Sequence, residues 1–300
     1  MTSYLMPKLN AHAGIGIIDS GLGGITVARE VFKQLPQETV YYLGDAKRCP
    51  YGPRTKAEII SFARELVQML NLMPLKAVLV ACNTITAIAL EMIKKSLTVP
   101  VFGVVNPGIR VVGQQLDISR VGVLGTKATI ASNVYAKRIT QLRNSLKVFS
   151  LACDSFVPLV ESGAHRTQRA LDVVGEQLQS FLDLKLNAVV LGCTHYPLLS
   201  NAIRVTLGKD VLLINSAEEI VRELKSFLKQ LNLKNTNHKP RHYFFTTGDL
   251  QLFQSIAEEW LSCSLTVYEA ALIKDLFPVK KSVAGGYLGG MLRATGVVKG

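Results

Sequence analysis

The chain has no apolar run of the roughly 18–20 residues needed to span a bilayer, and it has few charges, 19% of its 300 residues. A membrane span is therefore not expected. The 48% hydrophobic fraction excludes a disordered chain and is enough to fill sizeable cores. The N-terminus MTSYLMPKLNAHAGIGIID lacks a long apolar stretch followed by small residues. It reads as a short tail before the first strand, not as a leader. No CxxC pair occurs, and the five cysteines, Cys49, Cys82, Cys153, Cys193 and Cys263, are odd in number. A disulfide framework is not expected, and a reducing, cytoplasmic location is. Cys193 and His195 stand two apart without a second pair of matching spacing, so no metal site is expected. A dinucleotide fingerprint is also missing, because GLGGIT (21–26) places Thr26 where the third glycine belongs. Gly21, Gly23 and Gly24 are expected instead to allow a tight turn and close backbone approach to a small anion.

Acids are outnumbered, giving a formal net charge of +12. Residues 224–242 hold Lys225, Lys229, Lys234, Lys239 and Arg241 and no acid. Such a run can meet nucleic acid. The ordinary reading is a solvated helix face with a linker, and nucleic acid is not the expected partner.

What is present is a repeat. LKAVLVACNT (75–84) aligns without a gap on LNAVVLGCTH (186–195), so that Cys82 falls on Cys193 and Thr84 on His195. GIGIIDS (14–20) likewise aligns on RVGVLGT (120–126), and VFGVVN (101–106) on VLLIN (211–215). The offsets are 111, 106 and about 109. These runs, with TVYYLGD (39–45) and VFSLAC (148–153), are short, rich in Val, Ile and Leu, and followed by helical periodicity. That is the pattern of buried parallel strands. The fold class is therefore α/β, with two pseudo-symmetric, mostly parallel halves and a site in the cleft between them. Thr55 and Glu58 predict a capping box. A long helix is expected over 166–184, and Asn106-Pro107-Gly108 reads as the point where the pattern restarts. Residues after about 216 fit no third copy.

Ligands of parallel α/β sheets bind beyond the carboxyl ends of the strands. The residues there are Asp19-Ser20, Asp45, Cys82-Asn83-Thr84, Thr126, Glu161 and Cys193-Thr194-His195. A single cysteine after a strand is ordinarily a small core residue. Two at duplicated positions, each followed by polar residues, would face each other across one cleft. A thiolate on one wall and a thiol on the other can remove a proton from one face of a substrate and deliver one to the opposite face. Such a pair inverts a stereocentre. Asp19 could equally be a helix cap, and His195 and Glu161 could be packing residues.

Taken together, IIDSGLGGITV (17–27), YLGDAKRCPYG (42–52), ACNTITA (81–87), GVLGTKATI (122–130) and LGCTHYPLL (191–199) resemble the glutamate racemases of the aspartate/glutamate racemase superfamily. The resemblance covers about residues 14–220. It implies cofactor-independent, two-base interconversion of L- and D-glutamate, with the product feeding peptidoglycan synthesis. Cys82 matches the thiol that removes the α-proton of D-glutamate, and Cys193 the one that removes that of L-glutamate. Asp19 and His195 match their polar assistants. Ser20, Tyr51, Gly52, Asn83, Thr84 and Thr194 match substrate-binding positions. Thr126 matches a contact to a substrate carboxylate, and Glu161 a carboxylate near the second thiol. The resemblance also implies a homodimer, a cell-wall precursor as activator in some members, and a C-terminal part that returns to the first domain. The expected domains are then 1–107 with 217–300, and 108–216. A racemase of the same superfamily acting on aspartate or another small acid is the alternative. A non-catalytic anion- or nucleic-acid-binding α/β protein is the rival from another class. The chain departs from the pattern at Cys49, just before Pro50-Tyr51-Gly52, at Asn215, where an acid is common, and in the last thirty residues with GGYLGGMLRATG.

Overall fold

The computed structural model describes residues 9–236 and 239–277. The tail with GGYLGGMLRATG lies outside the described residues. The chain opens with β1 (Gly14–Asp19), α1 (Ile25–Gln34), β2 (Val40–Gly44), α2 (Lys56–Leu70), β3 (Leu75–Val80), α3 (Asn83–Ser96) and β4 (Val101–Gly103). Helix α4 (Val105–Gln114) leads into β5 (Arg120–Gly125), α5 (Lys127–Ala131), α6 (Val134–Leu142), β6 (Lys147–Ala152), α7 (Phe156–Glu161) and α8 (Gln168–Gln177). Then come β7 (Ala188–Gly192), α9 (Ser200–Leu207), β8 (Leu212–Asn215), α10 (Ser216–Gln230), β9 (Tyr243–Thr246), α11 (Leu250–Leu261), β10 (Val267–Glu269) and α12 (Ile273–Leu276).

The strands form two sheets, in the orders β10-β9-β2-β1-β3-β4 and β6-β5-β7-β8. Every strand pairing among the described residues is parallel. The sequence repeat is thus a topological one. β2-β1-β3-β4 and β6-β5-β7-β8 have the same order, so the aligned runs occupy equivalent places. β1 and β7 are buried along their whole length, as continuous apolar runs covered on both faces require. Beyond β2 the first sheet gains β9 and β10 from the end of the chain.

Local chemistry explains most boundaries. Thr55 and Glu58 form the expected reciprocal capping box at the start of α2. Asn215 caps α10 by accepting a hydrogen bond from the Ala217 N–H at 3.0 Å. Two expectations fail. Asn106-Pro107-Gly108 is not a break: it lies inside the first turns of α4. Proline is harmless there because the first N–H groups of a helix have no intrahelical partner. The stretch 166–184 is not one helix either. It splits into α8 flanked by two 3-10 turns, Ala164–Arg166 and Gln179–Leu184. The second turn seats the buried ring of Phe181 over Gly122, where an added Cβ would lie 3.0 Å from the ring.

The chain passes between the sheets twice, through α4 and through α10. The two helices pack together, and Arg110 of α4 pairs with Glu223 of α10 at 2.5 Å. The basic stretch behaves as a solvated face. Lys225, Lys229, Lys234, Lys239 and Arg241 are all exposed. Among the described residues, no helix is long and apolar enough to cross a membrane.

One buried ion pair ties down the start and the return of the chain. Lys76, on β3, is fully buried and lies 2.5 Å from Glu38. Its ammonium also donates to the carbonyls of Ala11 at 2.7 Å and Leu233 at 2.8 Å. Glu38 in turn accepts from the Asn235 N–H at 3.0 Å. Burial pulls the Lys76 pKa down, against the opposing pull of Glu38. Removing one partner leaves a buried charge uncompensated, so Lys76→Met should lose about 3–5 kcal/mol of stability in chemical denaturation. Lys76→Met combined with Glu38→Gln should recover part of that loss; a double variant no more stable than the single one would contradict this account.

Candidate active site

The cleft is built from strand ends. Asp19 ends β1, Cys82 follows β3 and Cys193 follows β7. Asp19 is fully buried, Cys82 is 5% exposed and Cys193 is 7% exposed. Cys82 is the N-cap of α3, and its sulfur accepts a hydrogen bond from the Ile85 N–H at 3.5 Å. The second half breaks the symmetry here. No α-helix starts directly after Cys193; a 3-10 turn, Tyr196–Leu199, precedes α9.

Each thiol has its own polar company. Cys82 Sγ lies 3.5 Å from Ser20 Oγ. Asp19 accepts from the Gly21 N–H at 3.0 Å and from the Thr194 hydroxyl at 3.4 Å. Cys193 Sγ lies 3.7 Å from His195 Nδ1, and His195 Nε2 lies 3.0 Å from Glu161 Oε1. Glu161 closes α7, and the turn after it needs Gly163, whose φ of +75° is left-handed. The Trp260 ring of α11 stands edge-on to His195, with ring centres 6.3 Å apart.

Hydrogen bonds stitch the two walls together. The Asn83 amide donates to the Tyr135 hydroxyl at 2.7 Å. Thr84 Oγ1 lies 2.9 Å from Thr126 Oγ1 and 3.3 Å from Thr129 Oγ1. The Ala128 N–H donates to the Gly52 carbonyl at 3.1 Å, and the Thr26 hydroxyl donates to the Thr194 carbonyl at 3.3 Å. Gly23 packs directly beneath Thr194 and His195, where an added Cβ would lie 2.6 Å from His195 Nδ1. The glycine turn therefore admits the opposite wall. A small void beside Cys193, lined by Thr26, Asn83, Thr194, Asn215 and Ser216, has a volume of about 10 Å³, room for about one water.

Burial dominates the electrostatics. It raises the Asp19 pKa, although His195 and the Gly21 N–H pull the other way. Burial, followed by the neighbouring Asp19 charge, pushes Cys82 up to about 12. Burial works against a charged His195, but hydrogen bonds to Cys193 and Glu161 outweigh it and raise its pKa to about 10. For Glu161, burial works upward, yet the bonds from His195 and Cys49 hold the carboxyl below its ordinary value. Cys82 is thus held as a thiol beside a carboxyl group, while an imidazolium stands beside Cys193.

Of the residues singled out in the sequence, Asp19, Ser20, Cys82, Asn83, Thr84, Thr126, Glu161, Cys193, Thr194 and His195 converge on this cleft. Gly52 joins them through its backbone, pressed so close to Thr126 that an added Cβ would lie 2.8 Å away. The Tyr51 side chain does not. Its hydroxyl is bonded to Asp45, which is also held by Arg48 at 2.6 Å and Thr247 at 2.6 Å. Position at a strand end does not mark Tyr135, Thr129, Trp260 or Tyr42, whose hydroxyl donates to the Gly21 carbonyl at 2.8 Å. Thr129 carried a signal as part of GVLGTKATI, and Tyr42 as the first residue of YLGDAKRCPYG; Tyr135 and Trp260 reach the cleft from elements with no motif of their own. Among the described residues, no group of three or more His, Cys, Asp or Glu side chains is arranged to hold a metal ion.

The family model Asp/Glu/Hydantoin racemase matches residues 15–224, and the chain belongs to this family. It is 44% identical over 251 residues to the glutamate racemase of Lysinibacillus sphaericus, covering 83% of this chain and 95% of that protein. The crystal structure of glutamate racemase isoform RacE1 from Bacillus anthracis is 42% identical, with a TM-score of 0.83 over 87% of this chain and 98% of that one. Glutamate racemase from Francisella tularensis subsp. tularensis, solved in complex with D-glutamate, is 34% identical, with a TM-score of 0.80 over 86% of this chain and 96% of that one.

The pair His195–Glu161 generates a direct prediction. Glu161→Gln removes the carboxylate charge that helps keep the imidazole protonated. The His195 pKa should fall from about 10 by about one unit or more toward its ordinary value. Titration of the ring signals by NMR measures this, and an unchanged value would show that Glu161 does not support the charge.

Proposed function

We propose that this chain interconverts L- and D-glutamate by a two-thiol mechanism without a cofactor. The observation that carries the reading is the pair of buried thiols at equivalent strand ends, Cys82 and Cys193, on opposite walls of one cleft. One thiolate removes the α-proton, and the other thiol returns a proton from the opposite face. Cys82 is assigned to D-glutamate and Cys193 to L-glutamate. Asp19 and His195 serve as their assistants, with Glu161 behind His195. A general acid or base of this kind contributes about 10²–10⁴-fold each. The hydroxyls of Ser20, Thr84, Thr126 and Thr194, the Asn83 amide and the backbone at Tyr51 and Gly52 are the proposed substrate contacts. They offer neutral donors to the two carboxylates and to the negative charge that builds up when the proton leaves. The α-ammonium group of a bound amino acid would favour ionisation of a nearby thiol, opposing the burial that keeps Cys82 protonated.

Residues 1–107 with 217–300, and 108–216, are proposed as the two domains. The pairing of β9 with β2 supports that division, and helix α4 carries the chain across the boundary. A homodimer, stimulation by a cell-wall precursor, a cytoplasmic location and a role in supplying D-glutamate for peptidoglycan belong to the same proposal. Aspartate as the substrate is not favoured: the similar proteins at 42% and 44% identity are glutamate racemases.

Enantiomers have equal free energy in water. The two directions must therefore share one kcat/KM, and any variant must change both alike. Cys82→Ser and Cys193→Ser should each lower kcat/KM by about 10²-fold or more in both directions while thermal unfolding stays near that of the parent protein. Turnover of L-glutamate followed by circular dichroism tests this, with L-aspartate as the control; unimpaired turnover in either variant would refute the two-thiol assignment. In D₂O, early solvent deuterium should appear at Cα of the product enantiomer and not of recovered substrate. Equal early labelling of both would point to a single shared base.

A further inference from the structure

Cys49, one of the departures named in the sequence, lies at the cleft. It belongs to the loop between β2 and α2 and is partly buried. Its thiol donates to Glu161 Oε1 at 3.4 Å. The same oxygen lies 3.0 Å from His195 Nε2. We propose that Cys49 is a positioning residue for racemisation: its thiol, reaching from the first half, fixes the Glu161 carboxylate that orients His195 against Cys193. This inference deepens the racemase reading and rests on it.

Three observations support the assignment. First, Glu161 needs holding. Its side chain is 29% exposed, against 3% for His195, and it stands at the last residue of a two-turn helix followed by a left-handed glycine. A carboxylate so placed can turn out to water unless donors retain it, and it has two, on one oxygen. Second, Cys49 suits the part of a permanent donor. Burial and the nearby charges of Glu161 and Asp19 raise its pKa, so the thiol keeps its proton and is a poor nucleophile. Third, Cys49 touches the other assistant's loop as well. A Cβ at Gly21 would lie 2.9 Å from Cys49 Sγ, and the Gly21 N–H holds Asp19. One thiol thus bears on the groups beside both proposed proton-transfer sulfurs.

The competing account is that Cys49 only fills space. The two accounts separate on titration, where the charged or titratable groups that act on Glu161 or share its setting are Cys49, His195, Asp19 and Tyr42. Without the Cys49 donor, the Glu161–His195 pair loosens. The Glu161 pKa then rises toward its ordinary value and that of His195 falls. In this proposal the ionised carboxylate of Glu161 is the form that orients His195, so the acidic limb of kcat/KM should move to higher pH.

The test compares Cys49→Ala, Cys49→Ser and the parent protein, all as full chains. In Cys49→Ala the acidic limb should shift up by about half to one pH unit, equally in both directions, and the His195 NMR titration should shift down by a similar amount. Serine still donates, so Cys49→Ser should restore most of both shifts. An unshifted limb and His195 titration in Cys49→Ala would overturn the proposal, as would a Cys49→Ser variant as altered as the alanine one. If the parent protein does not turn over glutamate, the racemase reading fails, and the His195 titration still decides whether Cys49 positions the pair.

Discussion

Ionisable groups taken out of water must find their compensation in one another, and this constraint organises the cleft. Asp19, Cys82, Cys193 and His195 are all buried, and Glu161 is largely so. A carboxylate or thiolate in such a place is costly when isolated. The structure answers differently on the two walls. Around Cys82 the thiol stays protonated, beside an Asp19 whose own pKa burial has raised. Around Cys193 the answer is a charge chain, in which an imidazolium stands between a sulfur and a carboxylate. Close contacts such as that of Gly23 with His195 keep water out and so keep these interactions strong.

The duplicated architecture makes the two walls comparable, and the departures from it make them different. Equivalent strand orders put two sulfurs at equivalent places. The segments after the two sulfurs are not equivalent: a helix N-terminus supports Cys82, whereas a 3-10 turn carries His195 to Cys193. A substrate whose two forms are mirror images calls for paired acid–base groups. The protein around them is built from L-residues, so the two faces of the substrate cannot meet mirror-related surroundings.

Much of this was legible in the sequence. Runs such as GIGIID and AVLVAC are too short and too apolar to be anything but buried strands once glycine turns and helical periodicity follow them. Their nearly constant offset revealed the repeat, and the repeat selected Cys82 and Cys193 from among five cysteines. Other features were hidden for physical reasons. Asn106-Pro107-Gly108 carries a turn signal, but a proline in the first turn of α4 gives up no hydrogen bond. The break after α8 follows from where Phe181 must pack, and periodicity does not report that. Tyr51 sits in a matching motif, yet its hydroxyl serves the Asp45 network. Tyr135 and Trp260 approach from distant elements, where only the folded chain makes them neighbours of Asn83 and His195.

The double passage of the chain between the sheets has a mechanical consequence. A single linker acts as a swivel, about which two bodies can turn and twist in several ways. Two adjacent connections, α4 and α10, packed together and cross-braced by Arg110 and Glu223, act as two pins on one line. Two connections side by side therefore fix the sheet that carries Cys82 and the sheet that carries Cys193 to each other at two neighbouring points instead of one.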